Sequence, residues 1–224
     1  MNLLLFGIAI LIGLMLLVNL INIAQAGSKR PDGRSMAQIL GVDPESATFE
    51  DIEKLSRKHT MQLFYAANAP DHSKLQGEYQ ARLLSGGILG GASAFFTHHI
   101  FPTGKFTRFT WWEGKAFTSD AENKGHGYNI FKEKLPRGPE KILRLRPMRT
   151  SIASSKAGKD GKPSFFVDYH WDNKGTVHSM RDEIRQINSE LYIGAGYMGL
   201  GGGPINPAPF VLIGPPTSWV GSDK

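Results

Sequence analysis

Hydrophobic positions fall along this chain in two unlike ways, as one unbroken block at the start and as short alternating runs through most of the remainder. From 3 to 23 the residues read LLLFGIAILIGLMLLVNLINI, without a charge and with Asn19 and Asn22 as the polar members. About twenty such positions, at ~1.5 Å rise each, span a hydrocarbon core of roughly 30 Å. The block therefore predicts a transmembrane helix that anchors the chain. Ala24-Gln25-Ala26 has the small-residue form of a cleavage site, so a removed signal peptide is the alternative. No Lys or Arg precedes the run, and it exceeds the ~7–15 apolar residues of a signal core, which favours a retained anchor.

After the anchor, Pro31, Gly33, Gly41 and Pro44 break any long element and predict a linker over 27–47. A short amphipathic helix is predicted from Thr48 to Ala67. Thr48 and Asp51 have the spacing of a capping box, and Phe49, Ile52, Leu55, His59 and Leu63 recur at steps of three and four. His59 on that stripe reads as a core or interface histidine. Beyond Pro70 the texture becomes β-like, with strands predicted over 77–85, 106–117, 128–132, 141–151, 164–171, 177–187, 191–198 and 210–213. Residues 86–101 are open between glycine-rich loop, short helix and strand. In the best alternating run, Phe165, Val167, Tyr169 and Trp171 face one way and Asp168, His170 and Asp172 the other. Many short strands with hairpin-length connections predict a mainly β fold. A closed antiparallel barrel is favoured, because closure removes edge strands, and a two-sheet sandwich is the alternative. Such barrels commonly enclose a small apolar cavity. The organisation is then an anchor (1–26), a linker (27–47) and one barrel domain (48–224).

The succession GEYQARLLS, WWEGKAF, GYNIF, LRLRPMRTSI, SFFVDYHW and RDEIRQINSELYIGAGYM resembles bacterial β-barrel proteins of the lipocalin-like, or calycin, kind. There a strand with Trp and Gly comes early, and a strand of the form R-[DE]-x-[RI] precedes LYxG. The resemblance runs over 77–213, and the G-x-W of lipocalins near the first strand is missing. It implies a barrel whose cavity takes a hydrophobic ligand.

Composition narrows the chemistry. The chain has 224 residues with no cysteine, so disulfides, thiolate metal sites and cysteine nucleophiles are absent. Its net charge of +6 suits a domain lying beside an anionic leaflet or an acidic partner. The basic residues are spread out and no nucleic-acid-binding motif occurs, which excludes that class. Lys29, Arg30 and Arg34 follow the anchor at once, and such charges tend to stay cytoplasmic. The domain is thus expected on the cytoplasmic side, with the periplasmic side as the alternative.

Candidate site residues follow from these patterns. Neighbouring Trp111 and Trp112 should face opposite sides of a strand, and with Tyr169 and Trp171 they are the candidates to line a ligand cavity. His98 and His99 would diverge on a strand, so they predict a membrane or partner interface rather than a metal site. Gly7 and Gly13 leave room on the anchor for another helix, and Asn19 and Asn22 share a face near its end; all four are interface candidates. Asp168, His170 and Asp172 on one strand and Arg181, Glu183 and Arg185 on the next predict an exposed charge network. Arg144, Arg146 and Arg149 suggest a basic patch, and 199–204 a glycine turn without phosphate-loop form.

Three functions fit, and neither a metal nor a cofactor is expected. The favoured one is a non-catalytic accessory subunit of an integral membrane complex, photosynthetic or respiratory. In layout the chain is similar to the H subunit of purple-bacterial reaction centres, which has one N-terminal helix and a β-rich extrinsic domain. The second is a membrane-tethered barrel binding a lipid, pigment or isoprenoid. The third is an enzyme on a hydrophobic substrate, using His170 with Asp168 or Glu183 as a general base.

Overall fold

The computed structural model describes residues 3–27, 30–158 and 160–223. Eight antiparallel strands follow one another around a closed barrel: β1 (Gly77–Leu83), β2 (Thr110–Ala121), β3 (Lys124–Lys134), β4 (Glu140–Ser154), β5 (Pro163–Asp168), β6 (Arg181–Gln186), β7 (Leu191–Tyr197) and β8 (Ala208–Thr217). Pairing of β8 back onto β1, with Ala81 opposite Leu212, closes the sheet and excludes the sandwich. Each of the alternating runs in the sequence has become one of these strands. Their inward positions fill the barrel with Tyr79, Phe117, Phe131, Met148, Phe165, Ile184 and Leu212.

A second core lies outside the barrel wall. Helices α2 (Met36–Leu40), α3 (Phe49–Glu53) and α4 (Arg57–Ala66) set Leu40, Ile52, Met61 and Phe64 into one buried cluster with Ile193 and Ala195 of β7 and Val211 of β8. This covering explains why LYIGAGY lacks a polar face: β7 is buried on both sides. Two expectations change here. The predicted single helix over 48–67 is broken in two, because Ser56 takes an extended backbone and its hydroxyl accepts the His59 N–H at 3.4 Å to start α4. The break turns the stripe, so His59 is exposed rather than in the core. Part of the expected linker is docked structure as well. Ser35 and Gln38 form a reciprocal capping box on α2, and Gly41 ends it at φ 78°, burying Ile39 and Leu40.

The same covering overturns the exposed charge network. Arg185 is fully buried beneath α4 and Glu183 beside the β4–β5 connection, and only Asp168 pairs in the expected place, with Arg181 at 3.1 Å. Glu183 accepts the Ser155 hydroxyl, the backbone N–H groups of Lys156 and Ala157, and the Tyr197 hydroxyl. The basic patch is also used within the fold: Arg144 pairs with Glu78 at 2.7 Å, Arg146 donates to the Phe101 carbonyl, and Arg149 lies over the Trp171 ring.

The apolar block forms α1 (Leu3–Gln25), long and apolar enough to cross a membrane and almost wholly uncovered along its apolar length. Residues 86–101 resolve as a helical cap, α5 (Gly90–Phe95) followed by a turn of π-helix over Phe96–Ile100.

Candidate functional site

A cavity of about 270 Å3 enters the barrel where the end of α1, the cap and the β7–β8 connection converge. Asn22, Leu89, Phe96 and Asn206 belong to its outer wall, and Trp112, Phe210, Lys115 and Asp182 to its inner end. Most of the lining is carbon. Two polar features interrupt it, one at each end.

The inner feature is built on β2, β5 and β6. Lys115 and Asp182 form an ion pair at 2.7 Å with both side chains about 3% exposed. The remaining lysine protons go to the Tyr169 hydroxyl at 2.6 Å and to Asn129 Oδ1 at 2.8 Å. Tyr169 in turn donates to Asp182 Oδ2 at 2.9 Å, and Trp112 Nε1 donates to Asn129 Oδ1 at 3.1 Å. The rings of Trp112, Tyr169 and Phe210 each lie 5.3 Å from the ammonium, a spacing that suits cation–π attraction. Burial pushes the Lys115 pKa down, against the opposing pull of Asp182. It pushes the Tyr169 hydroxyl well up, and the Asp182 charge adds to this. The cluster is therefore a polar floor whose ammonium, carboxylate and hydroxyl are bonded to one another. A Cβ at Gly196 would approach Asp182 Oδ1 within 2.8 Å, so this glycine lets the floor and the wall meet.

The outer feature ties the end of α1 to the barrel. Asn22 is 3% exposed; its Nδ2 donates to Asn206 Oδ1 at 2.7 Å and its Oδ1 accepts the Leu89 N–H at 3.1 Å. Gln25 Oε1 accepts the Ile88 N–H at 2.8 Å, and Asn19 Oδ1 accepts from Asn206 at 3.1 Å. Ala26 is buried in the outer core. Gly87, at φ 68°, gives the loop room beside Asn22 and Gln25. Asn22→Leu is expected to leave the Leu89 N–H unpartnered, costing about 1–3 kcal/mol. Faster tryptic cleavage within residues 27–34 would report it; an unchanged rate would show that the joint contributes nothing.

Of the predicted ligand-lining residues, Trp112 lines the cavity, Tyr169 lies in the floor, and Trp111 and Trp171 are exposed on the outside. Trp171 leaves the inward face because β5 ends at Asp168 and the chain turns. The predicted interface residues separate too. Asn19 and Asn22 serve the chain's own barrel, whereas a Cβ at Gly7 or Gly13 would meet nothing within 4 Å. His98 and His99 are half-buried in the cap: His98 Nδ1 accepts the Trp112 N–H at 3.0 Å, and His99 Nδ1 lies 3.0 Å from the Thr107 carbonyl. Burial lowers the His98 pKa. His170 lies against the tilted ring of His178 and edge-on to Trp171 outside the cavity, and its intended partner Glu183 is committed to residues 155–157. No cluster of three or more metal-ligating side chains occurs among the described residues.

Lys115, Asp182 and Arg57 were missed by sequence reasoning. Lys115 shares the inward face with Trp112 because the β2–β3 register shifts between Trp112 and Gly114, a bulge that absorbs one residue. Asp182 had a readable signal, since it is two residues from Ile184 and so shares its inward face.

No protein-family model matches the chain, and no curated protein matches it. Among solved structures, a protein from Thermomonospora curvata aligns over 80% of this chain and 94% of its own. The identity is 16% and the TM-score 0.46.

Proposed function

We propose that this protein is a membrane-tethered binding barrel that takes up one single-chain amphiphile, of lipid or isoprenoid kind, from the bilayer. The observation that carries this reading is the position of the cavity: a largely carbon-lined chamber opening beside the end of the apolar helix. Its volume lies just below the roughly 300–1,000 Å3 of ordinary small-molecule pockets, which suits one chain better than a two-chain lipid. Ile88 and Phe95 of the cap and Ile205 of the β7–β8 connection expose large apolar side chains around the same end, as a surface seated in the headgroup layer would. The use of Asn19, Asn22 and Ala26 in the barrel supports a retained anchor over a cleaved leader. Arg30 and Arg34 just after the helix favour the cytoplasmic side.

Organic extraction of protein purified in mild detergent, followed by mass spectrometry, is expected to yield such a molecule. Ala92 lies at the exposed mouth, so Ala92→Trp should cut the bound amount at least about ten-fold while moving Tm by no more than about 2 °C. Absence of any extractable ligand, together with equal behaviour of the variant, would sink the reading. The accessory-subunit reading retains one favourable observation, the open helix surface at Gly7 and Gly13. Its signature is co-purification of a stoichiometric integral protein instead.

A further inference from the structure

Resting on that reading, we infer that the amphiphile carries an acidic head group and that Arg57 is the residue that holds it. Arg57 begins α4, lines the outer part of the cavity and is only 3% exposed. A guanidinium has five N–H donors. Three are used here: Nε donates to the Asn22 carbonyl at 3.2 Å, and Nη2 donates to Asn206 Oδ1 at 3.0 Å and to the Pro207 carbonyl at 2.9 Å. Nη1, with the other two, is buried and has no acceptor among the described residues. A buried donor without a partner is costly, and an unpaired buried charge more so. None of the three acceptors is a carboxylate, and no ion pair is formed by Arg57 among the described residues.

The charge around the cavity decides the sign of the ligand. Lys115 and Asp182 cancel at the floor, which leaves Arg57 as the remaining charged side chain of the lining among the described residues. The Asn22 carbonyl belongs to the last turn of α1, whose end carries roughly half a negative charge. That offsets part of the Arg57 charge and leaves a net positive site at the mouth. With Nε and Nη2 already occupied, Arg57 cannot present its two-pronged edge. It offers Nη1, one of whose two diverging protons can be donated to a carboxylate or phosphate oxygen. The loop over 86–89 passes over this side chain, since a Cβ at Gly87 would come within 2.8 Å of Arg57 Cδ. The head group thus sits where anchor, cap and α4 meet, at the depth of lipid headgroups, with its chain running inward to Trp112 and Phe210.

The test compares decanoate with decan-1-ol by calorimetric titration of the full chain in neutral phosphatidylcholine nanodiscs, against empty nanodiscs. Decanoate should bind at least about ten-fold tighter, as expected of a charge-assisted hydrogen bond. In Arg57→Gln this preference should collapse to about three-fold or less, with the alcohol's affinity little changed. The wild-type comparison stands by itself if the variant fails to fold. Equal affinity for acid and alcohol in the wild type overturns the Arg57 inference and leaves the binding barrel in place. Saturable binding of neither probe overturns both.

Discussion

Asp182→Asn is expected to destabilise the barrel by about 3–5 kcal/mol, because it leaves the Lys115 ammonium buried without its counter-charge. The Lys115 side chain is only about 3% exposed in the folded state: its three protons end on Asp182, Tyr169 and Asn129, and aromatic rings surround it. The loss should depend on pH in a definite direction. Burial already holds the Lys115 pKa below its ordinary value of 10.5, and Asp182 opposes that fall. Without the carboxylate the lysine falls further, so the unfolded chain binds the proton that the folded one rejects. Stability then rises with pH up to the ordinary lysine range near ~10.4. Thermal melting of the variant should therefore recover toward wild type between about pH 7 and pH 9.5. The paired change Lys115→Met with Asp182→Leu should restore most of the stability at any pH, as apolar replacements of buried pairs do. A variant as stable as wild type at neutral pH would mean that water reaches the ammonium.

This cluster also marks where the sequence stops being readable. The barrel itself was legible, since period-two runs from Gly77 to Ile213 leave a strand few other places to go. The helical layer was half legible: the Thr48 capping signal was correct, yet Ser56, an equally good cap, went unused and displaced His59. What hid the site was local irregularity. A bulge after Trp112 puts Lys115 on the face that simple alternation reserves for Gly114. The end of β5 at Asp168 carries Trp171 out of a face that alternation would have kept it on. Neither event has a sequence mark as plain as a proline.

Arg57 was readable and overlooked. It stands four residues before Met61 and seven before Phe64, both fully buried, which places it on the same helix stripe. A charge on an apolar stripe requires a partner or a ligand. The same argument applies to α1. Asn19 and Asn22 stand out as polar groups in an apolar block and were read as interface residues, whereas they bond within the chain. Their partner, Asn206, lies in a glycine-rich connection whose position relative to the helix follows only from barrel closure.

Asp160→Asn is expected to cost a comparable amount, about 3–5 kcal/mol, and to differ from Asp182→Asn in one decisive way. Arg185 on β6 is fully buried beneath α4, with its guanidinium 4.6 Å from the Phe64 ring centroid. Its Nη1 and Nη2 pair with the two oxygens of Asp160, while Nε donates to Ser164 Oγ at 3.0 Å and Nη1 also to the Phe64 carbonyl at 3.0 Å. Burial works to raise the Asp160 pKa, but the hydrogen bonds from Arg185 and the Lys162 N–H, together with the charges of Arg185 and Lys162, outweigh it and hold the carboxyl below its ordinary value. The pair's contribution is thus present above the ordinary carboxylate range and lost as the pH falls through the lowered value. Removing the carboxylate charge strands a guanidinium, and a guanidinium does not shed its proton in a protein. Raising the pH should accordingly leave Asp160→Asn as unstable as it is at neutrality, whereas Asp182→Asn recovers. The measurement is one pair of melting curves per variant, near pH 7 and about pH 9.5. Equal alkaline recovery in both would show that the Arg185 side chain reaches solvent, and the helical layer would then be far looser than its packing implies.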